Sequence, residues 1–214
     1  RKEPANYEGR RYGDYLNFRS ENPETPIVEM DTVYNNPSGP YLQTLLFVKT
    51  SFMIGFLHTH KTSESMAASI SKLQQRLGEE LFSKLFRVLL TDREFEKHQL
   101  FELDASGSSR LCIFYCDPMQ SSQKPHVENN HNYVRDIIPN SYPLDGLTQD
   151  SIDLMFSHIN SVPRRSLEDK TPFEIFSFFY GVEAAKRLNV SSIPRDEVVL
   201  KPQLIFSKLY CRAQ

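Results

Sequence analysis

The chain has 214 residues, of which 39% are hydrophobic, and its formal net charge is −2 at pH 7. This length is sufficient for one sizeable domain with a packed core, and the charge argues against a protein that holds nucleic acid by bulk positive charge alone. No stretch approaches the roughly 18 apolar residues of a membrane span, and the first residues lack the apolar centre of a signal peptide, so we expect a cytoplasmic protein.

The first half of the chain opens with a polar segment and continues with strand-like runs. Residues 1–25 are expected to form a weakly structured leader or linker. Three runs rich in β-branched and aromatic residues follow at 26–34, 41–50 and 52–60, separated by short turn sequences. This pattern predicts an antiparallel meander of three strands.

After Ser63, apolar residues recur every three to four positions instead of every two. One amphipathic helix is predicted by the apolar residues Met66, Ile70, Leu73, Leu77 and Leu81. Two further strand-like runs, RVLLTD and RLCIFYC, precede a helix that is expected to begin near Pro125. Two more helices are predicted, one near 148–160 and one from Thr171, where TPFE supplies an N-cap, a proline and a capping-box glutamate.

Acidic residues occupy three positions of this pattern that call for an explanation. Glu29 and Asp31 lie two apart in the first strand and therefore face the same side, although a salt bridge is the commoner role for a single buried acid. Asp92 directly follows a strand-like run, where open α/β sheets present functional side chains, but aspartate also serves as a turn residue there. Glu128 borders the apolar stripe of the helix near Pro125.

The three acidic positions together are more specific than any one of them. An aspartate in the first strand, an aspartate after the fourth and a glutamate on a later helix form the layout of a ribonuclease-H-like nucleotidyl transferase. We therefore expect an α/β fold of this class, with a mixed five-stranded sheet whose first three strands are antiparallel and which is flanked by helices. The expected division is a leader at 1–25, a catalytic core at 26–160 and a helical extension of the same domain at 161–214.

Four blocks of sequence carry a resemblance to a known family. VEMDTV, LFRVLLTD, IFYCDPMQSSQKPHVENNHNYVRDIIP and INSVPRRSLEDKTPFEIF resemble successive blocks of the integrase core of insertion-sequence transposases of the IS-thirty family. The resemblance implies that Asp31, Asp92 and Glu128 are the catalytic carboxylates and the metal ligands of a DDE transposase. It assigns Glu29 a supporting role rather than that of a principal ligand.

Three converging acids repel one another, and hard divalent cations relieve that repulsion, so Mg²⁺ or Mn²⁺ is expected, with two ions in the site. Such ions flank a scissile phosphate during DNA strand cleavage and strand transfer. Reduced repulsion also predicts that amide replacement of one acid leaves the metal-free protein at least as stable. Around Glu128, candidate DNA contacts are Lys124, Asn129, Asn130, His131 and Arg135, for which a plain polar helix surface is an equally good interpretation.

The resemblance also implies partners and leaves alternatives open. The expected partners are the DNA ends of the insertion sequence and the target DNA, on which the protein is expected to form a homo-oligomer. The expected location is the bacterial cytoplasm, next to the nucleoid. A helix-turn-helix region is expected upstream of this chain. The family's Asn-Gly turn after the second aspartate is replaced here by Arg93, and a common glycine by Pro125. These changes suggest a catalytically decayed DNA-binding or assembly module as one alternative; a nuclease that cuts without joining is another.

The isolated chain is predicted to bind duplex DNA weakly and with little sequence preference. It carries a net negative formal charge and no evident helix that would read base edges. Fluorescence anisotropy with labelled duplexes at physiological salt would check this. Tight binding that distinguishes one sequence from another would contradict it.

Overall fold

The computed structural model describes residues 7–93 and 111–210 and contains one mixed sheet of five strands in the order β3-β2-β1-β4-β5. The strands are β1 (Ile27–Tyr34), β2 (Tyr41–Phe47), β3 (Phe52–His58), β4 (Val88–Thr91) and β5 (Cys112–Tyr115). β1, β2 and β3 form the predicted antiparallel meander. β4 runs parallel to β1 on its other side, and β5 runs parallel to β4. The predicted ribonuclease-H-like class is confirmed.

Eight α-helices surround this sheet in the described part of the chain. They are α1 (Tyr12–Glu21), α2 (Ser63–Leu77), α3 (Glu79–Leu85), α4 (Pro125–Ile137), α5 (Gln149–Asn160), α6 (Pro172–Tyr180), α7 (Val182–Arg187) and α8 (Gln203–Tyr210). The capping box predicted at Thr171 is present at the start of α6. Within the same described ranges, no helix combines the length and the apolar character that crossing a membrane requires.

Two elements differ from the expectations. Residues 12–21 of the expected unstructured leader form α1, because Tyr12, Tyr15 and Phe18 lie on one side of that helix and pack on the small apolar cluster around Phe114. The long helix expected from Ser63 is divided in two, because Gly78 takes a positive φ of 77° that ends α2 and begins α3. The proposed division into leader, core and extension remains a prediction.

The alternation of side chains along β1 determines where its acids point. Met30 points toward α2, since the Gln43 amide beside it bonds to the Met30 sulfur and to the Met66 carbonyl. Its neighbours Glu29 and Asp31 therefore point to the opposite face, which α4 covers. The predicted common orientation of the two acids is confirmed.

The outer edge of β3 is covered by α5 rather than by another strand. Asn160, fully buried at the end of α5, accepts from the Met53 N–H at 2.9 Å and donates to the Met53 carbonyl at 2.7 Å. Gln149, at the other end of α5, likewise accepts from the Leu57 N–H and donates to the Gly55 carbonyl. These two amides satisfy backbone groups that a sheet edge otherwise leaves unpaired.

Replacing Asn160 by alanine should lower the free energy of unfolding by about 1–3 kcal/mol, because it leaves a buried N–H and a buried carbonyl of β3 without partners. Urea denaturation of the purified chain would measure the change. The exposed Asn17 of α1 offers a matched control, and Asn17→Ala should stay within about 0.5 kcal/mol of the parent. Equal effects of the two substitutions would contradict this role of Asn160.

Candidate active site

Asp31 and Asp92 come together because their strands are parallel neighbours. Asp31 lies in the second half of β1, and Asp92 follows the last residue of β4. Their side chains are 19% and 32% exposed, so both remain accessible from solvent. The strand order β1-β4 was predicted because it brings these two residues together, and it is confirmed.

A buried lysine connects the two carboxylates. The Lys124 Nζ lies 2.6 Å from Asp92 Oδ2 and 3.3 Å from Asp31 Oδ1, and it donates to the Met30 carbonyl at 3.1 Å. The Lys124 side chain is only 1% exposed. Its three ammonium protons therefore face three oxygen atoms. Because one oxygen of Asp31 and one of Asp92 both contact the same nitrogen, the two carboxylates lie close together.

Electrostatics keep this lysine charged despite its burial. Burial by itself lowers the pKa of Lys124, but the negative charges of Asp31 and Asp92 and the hydrogen bond to Asp92 outweigh it, so the pKa is raised above its ordinary value. Lys124 is therefore an ammonium ion at neutral pH.

Glu29 has a different task from that of Asp31. Its side chain is 3% exposed, and Oε2 accepts from the Val127 N–H at 2.7 Å, in the first turn of α4. Oε1 lies 2.7 Å from His126 Nδ1, and this hydrogen bond raises the pKa of His126 against the opposing effect of burial. A carboxylate at a helix N-terminus is favourable because the amides there are unpaired and carry partial positive charge. Glu29 thus holds the start of α4 on β1.

Glu128 lies on the face of α4 that meets Asp31. Taking 100° per residue, Lys124, Glu128 and His131 share one side of the helix. Lys124 contacts Asp31 from one end of this row, and at the other end His131 Nδ1 lies 3.8 Å from Asp31 Oδ2. On this helical wheel, Glu128 falls between two residues that both contact Asp31.

His131 is held by Thr44, a residue that sequence reasoning missed. Thr44 pairs with Asp31 in the β1–β2 register, and its hydroxyl lies 2.9 Å from His131 Nε2. Burial lowers the pKa of His131 below its ordinary value, against the opposing effect of the nearby Asp31. The alternation of side chains in β2 places Thr44 on the face of Asp31, but only the register between two strands identifies it as a neighbour.

The turn after Asp92 is closed by Arg93, whose role was also missed. Its guanidinium donates to the Cys116 carbonyl at 3.1 Å and to Asp117 Oδ1 at 3.2 Å, just beyond β5. The Gln123 side-chain amide accepts from the Asp117 backbone N–H at 2.7 Å and donates to Asp117 Oδ2 at 2.9 Å, which closes the connection that leads to Lys124. Although Arg93 stands in place of the family's Asn-Gly turn, Asp92 still lies beside Asp31, since both contact Lys124. Glu94 and Phe95 lie outside the described residues.

The five candidate DNA contacts occupy different environments. Asn129 is exposed, and Asn130 bonds back to the His126 carbonyl. Lys124 and His131 are directed into the carboxylate site, as described above. Arg135, in the last turn of α4, binds Asn35 Oδ1 at 2.5 Å and thereby fixes the far end of the helix to the end of β1. The role of these five residues in DNA binding remains a prediction.

The donor set suits a hard cation, although it is incomplete as a metal site. In residues 7–93 and 111–210, no group of three or more His, Cys, Asp or Glu side chains is arranged to hold a metal ion. The Asp31 and Asp92 carboxylates nevertheless converge on one positive charge in an environment of oxygen atoms, which are the ligands that Mg²⁺ and Mn²⁺ prefer.

Comparison with known proteins places this site in context. No model of a known protein family matches the chain. The transposase InsI of insertion sequence element IS30A from Escherichia coli K12 is 32% identical over 93 residues, which are 44% of this chain and 24% of that protein. This chain therefore aligns with about a quarter of that relative's length.

Solved structures provide the fold comparison. The catalytic core domain of BIV integrase superposes with a TM-score of 0.54 at 18% identity, covering 74% of this chain and 98% of that domain. The HTLV-2 integrase catalytic core domain, solved in complex with magnesium, gives a TM-score of 0.51 at 16% identity, covering 71% and 95%. Over 93 residues the chain is similar to the transposase of an IS-thirty-type insertion sequence, and its fold is the ribonuclease-H-like fold seen in integrase catalytic cores.

Proposed function

We propose that this chain is the catalytic core of a DDE transposase, a metal-dependent polynucleotidyl transferase that cleaves DNA at the ends of an insertion sequence and joins the ends to a target. The observation that carries the proposal is the convergence of Asp31, in β1, and Asp92, just after the parallel strand β4, on the Lys124 ammonium. Glu128 supplies the third carboxylate from the facing helix.

Asp31, Asp92 and Glu128 are the proposed ligands of Mg²⁺ or Mn²⁺, in a site for two ions. When bound, such ions activate a water or a DNA 3′-hydroxyl and stabilise the leaving oxygen of an in-line displacement. No nucleophilic side chain is required. Burial raises the pKa of the neighbouring Cys116 thiol to about 12, so this cysteine stays protonated and is a poor nucleophile.

The remaining residues of the site have positioning roles in this proposal. Glu29 and His126 hold the start of α4, so that Glu128 stays opposite the two aspartates. Arg93 fixes the turn that carries Asp92. Asn129 and Asn130, beside Glu128, can present amide groups to the DNA backbone.

The proposed partners are the DNA ends of the insertion sequence, the target DNA and further copies of the chain assembled on them, in the bacterial cytoplasm. The support is the similarity to the IS30A transposase and to integrase catalytic cores. The net charge of −2 does not favour tight binding of DNA by bulk electrostatics in the chain itself.

Amide substitution of the three acids tests the proposal. If the site binds cations with roughly millimolar affinity, about 10 mM Mn²⁺ should stabilise the parent chain by about 1.4 kcal/mol and raise its melting temperature by about 4 °C. Asp31→Asn, Asp92→Asn and Glu128→Gln should each abolish that rise, together with Mn²⁺-dependent cleavage of an end-bearing duplex. Differential scanning fluorimetry and a gel-based cleavage and strand-transfer assay are the measurements.

Asp136, exposed on the same helix as Glu128, provides the matched control, and Asp136→Asn should retain both responses. In metal-free buffer, the Asp31 and Asp92 variants should lose about 1–3 kcal/mol of stability, because each removes a partner of the buried Lys124. A parent chain without any Mn²⁺ response or cleavage would favour the decayed assembly module instead. Cleavage without joining would favour the nuclease.

A further inference from the structure

The Lys124 ammonium occupies the space between the Asp31 and Asp92 carboxylates. Its Nζ is surrounded by one oxygen from Asp31, one from Asp92 and the Met30 carbonyl, at 3.3, 2.6 and 3.1 Å. These are hard oxygen donors of the kind that coordinate Mg²⁺ and Mn²⁺. An ammonium ion and a metal ion cannot both occupy the space between the two carboxylates.

We propose that Lys124 is an intramolecular competitor of the metal ion, which holds the two aspartates together in the metal-free protein and leaves the site when a cation binds. This inference rests on the proposed metal-dependent function. Charge supports the exchange, since one ammonium neutralises only one of the two carboxylates, whereas a divalent ion neutralises both. Mutual repulsion between a divalent ion and the ammonium then expels the side chain.

The surroundings of Lys124 allow such a movement. Lys124 is the N-cap residue of α4 and its side chain makes no capping hydrogen bond, so a change of its rotamer breaks no hydrogen bond of the helix. Asp92 is 32% exposed, and solvent therefore reaches the edge of the site next to the ammonium. The displaced ammonium would lie at the mouth of the site, where a phosphate of bound DNA could accept its hydrogen bonds.

Amine labelling of the parent chain tests the movement directly. With Lys124 only 1% exposed, its Nζ should resist acetylation by an amine-reactive ester in metal-free buffer, whereas Lys84, with a side chain 62% exposed, should react at once. Adding 10 mM Mg²⁺ should raise the labelling rate of Lys124 by at least about tenfold and leave that of Lys84 unchanged, as measured by peptide mass spectrometry. Unchanged protection of Lys124 with Mg²⁺ bound would overturn the proposal.

Mn²⁺ titration of variants tests the competition. Lys124→Met removes the competing charge from within about 4 Å of the carboxylates and should tighten Mn²⁺ binding by at least about tenfold in isothermal titration calorimetry. Lys84→Met removes the same charge from an exposed position of α3 and should change the affinity by less than about twofold, because salt screens distant surface charges.

The outcomes separate this inference from the proposed function. Equal or weaker Mn²⁺ binding by the Lys124→Met protein, compared with the parent, refutes the competition and leaves the metal-dependent function standing. A parent and a variant that both fail to bind Mn²⁺ refute the function and the competition together. If Lys124→Met does not fold, the labelling of the parent chain decides.

Discussion

The buried ammonium of Lys124 between Asp31 and Asp92 is the interaction on which the geometry of this site depends. It joins β1, the end of β4 and the start of α4 at one point. An ammonium ion removed from water costs several kcal/mol unless charged partners and hydrogen bonds compensate it. The three elements must therefore meet within hydrogen-bonding distance, or the lysine would be better placed at the surface.

Two further contacts make this meeting possible. Glu29 binds the first-turn amide of Val127, which aligns α4 with β1, and Arg93 binds the chain beyond β5, which fixes the turn after Asp92. Neither residue needs to touch a metal or a phosphate to matter for the site. Their effect is on the position of the carboxylates, and small displacements of catalytic groups are costly in enzymes that work by positioning.

The lysine also changes the electrostatic interpretation of the acids. From the sequence, Asp31, Asp92 and Glu128 were expected to repel one another until a metal ion bound, so that removal of one acid would leave the metal-free protein at least as stable. In the structure, Lys124 already supplies a positive charge between two of them. We now expect the loss of either aspartate to be destabilising, because it leaves a buried ammonium with fewer partners.

The placement of α4 divides the polar residues around Glu128 into two groups. Lys124, His131 and Arg135 make contacts inside the protein, to Asp31, Thr44 and Asn35 respectively. Asn129 is exposed, so it is better placed for an approaching DNA backbone. The sequence could not separate the two groups, since polar residues on a helix look alike until the neighbouring strands are known.

The sequence by itself determined the strands of the meander, the start of α4 and the capping box of α6, because hydrophobic period, turn residues and caps are local properties. The spacing of Tyr12, Tyr15 and Phe18 is also a local signal for α1, but the polar composition of residues 1–25 led to the expectation of a weakly structured leader.

Only the tertiary structure decided which charges neutralise one another. Lys124 is 32 residues from Asp92 and 94 from Met30 along the chain, and Arg93 is 23 from Cys116. The strand order brings these residues together, and no local pattern encodes a pairing across such separations. The sequence therefore proposed the three acids as candidates, whereas the folded chain determined that Lys124 connects two of them.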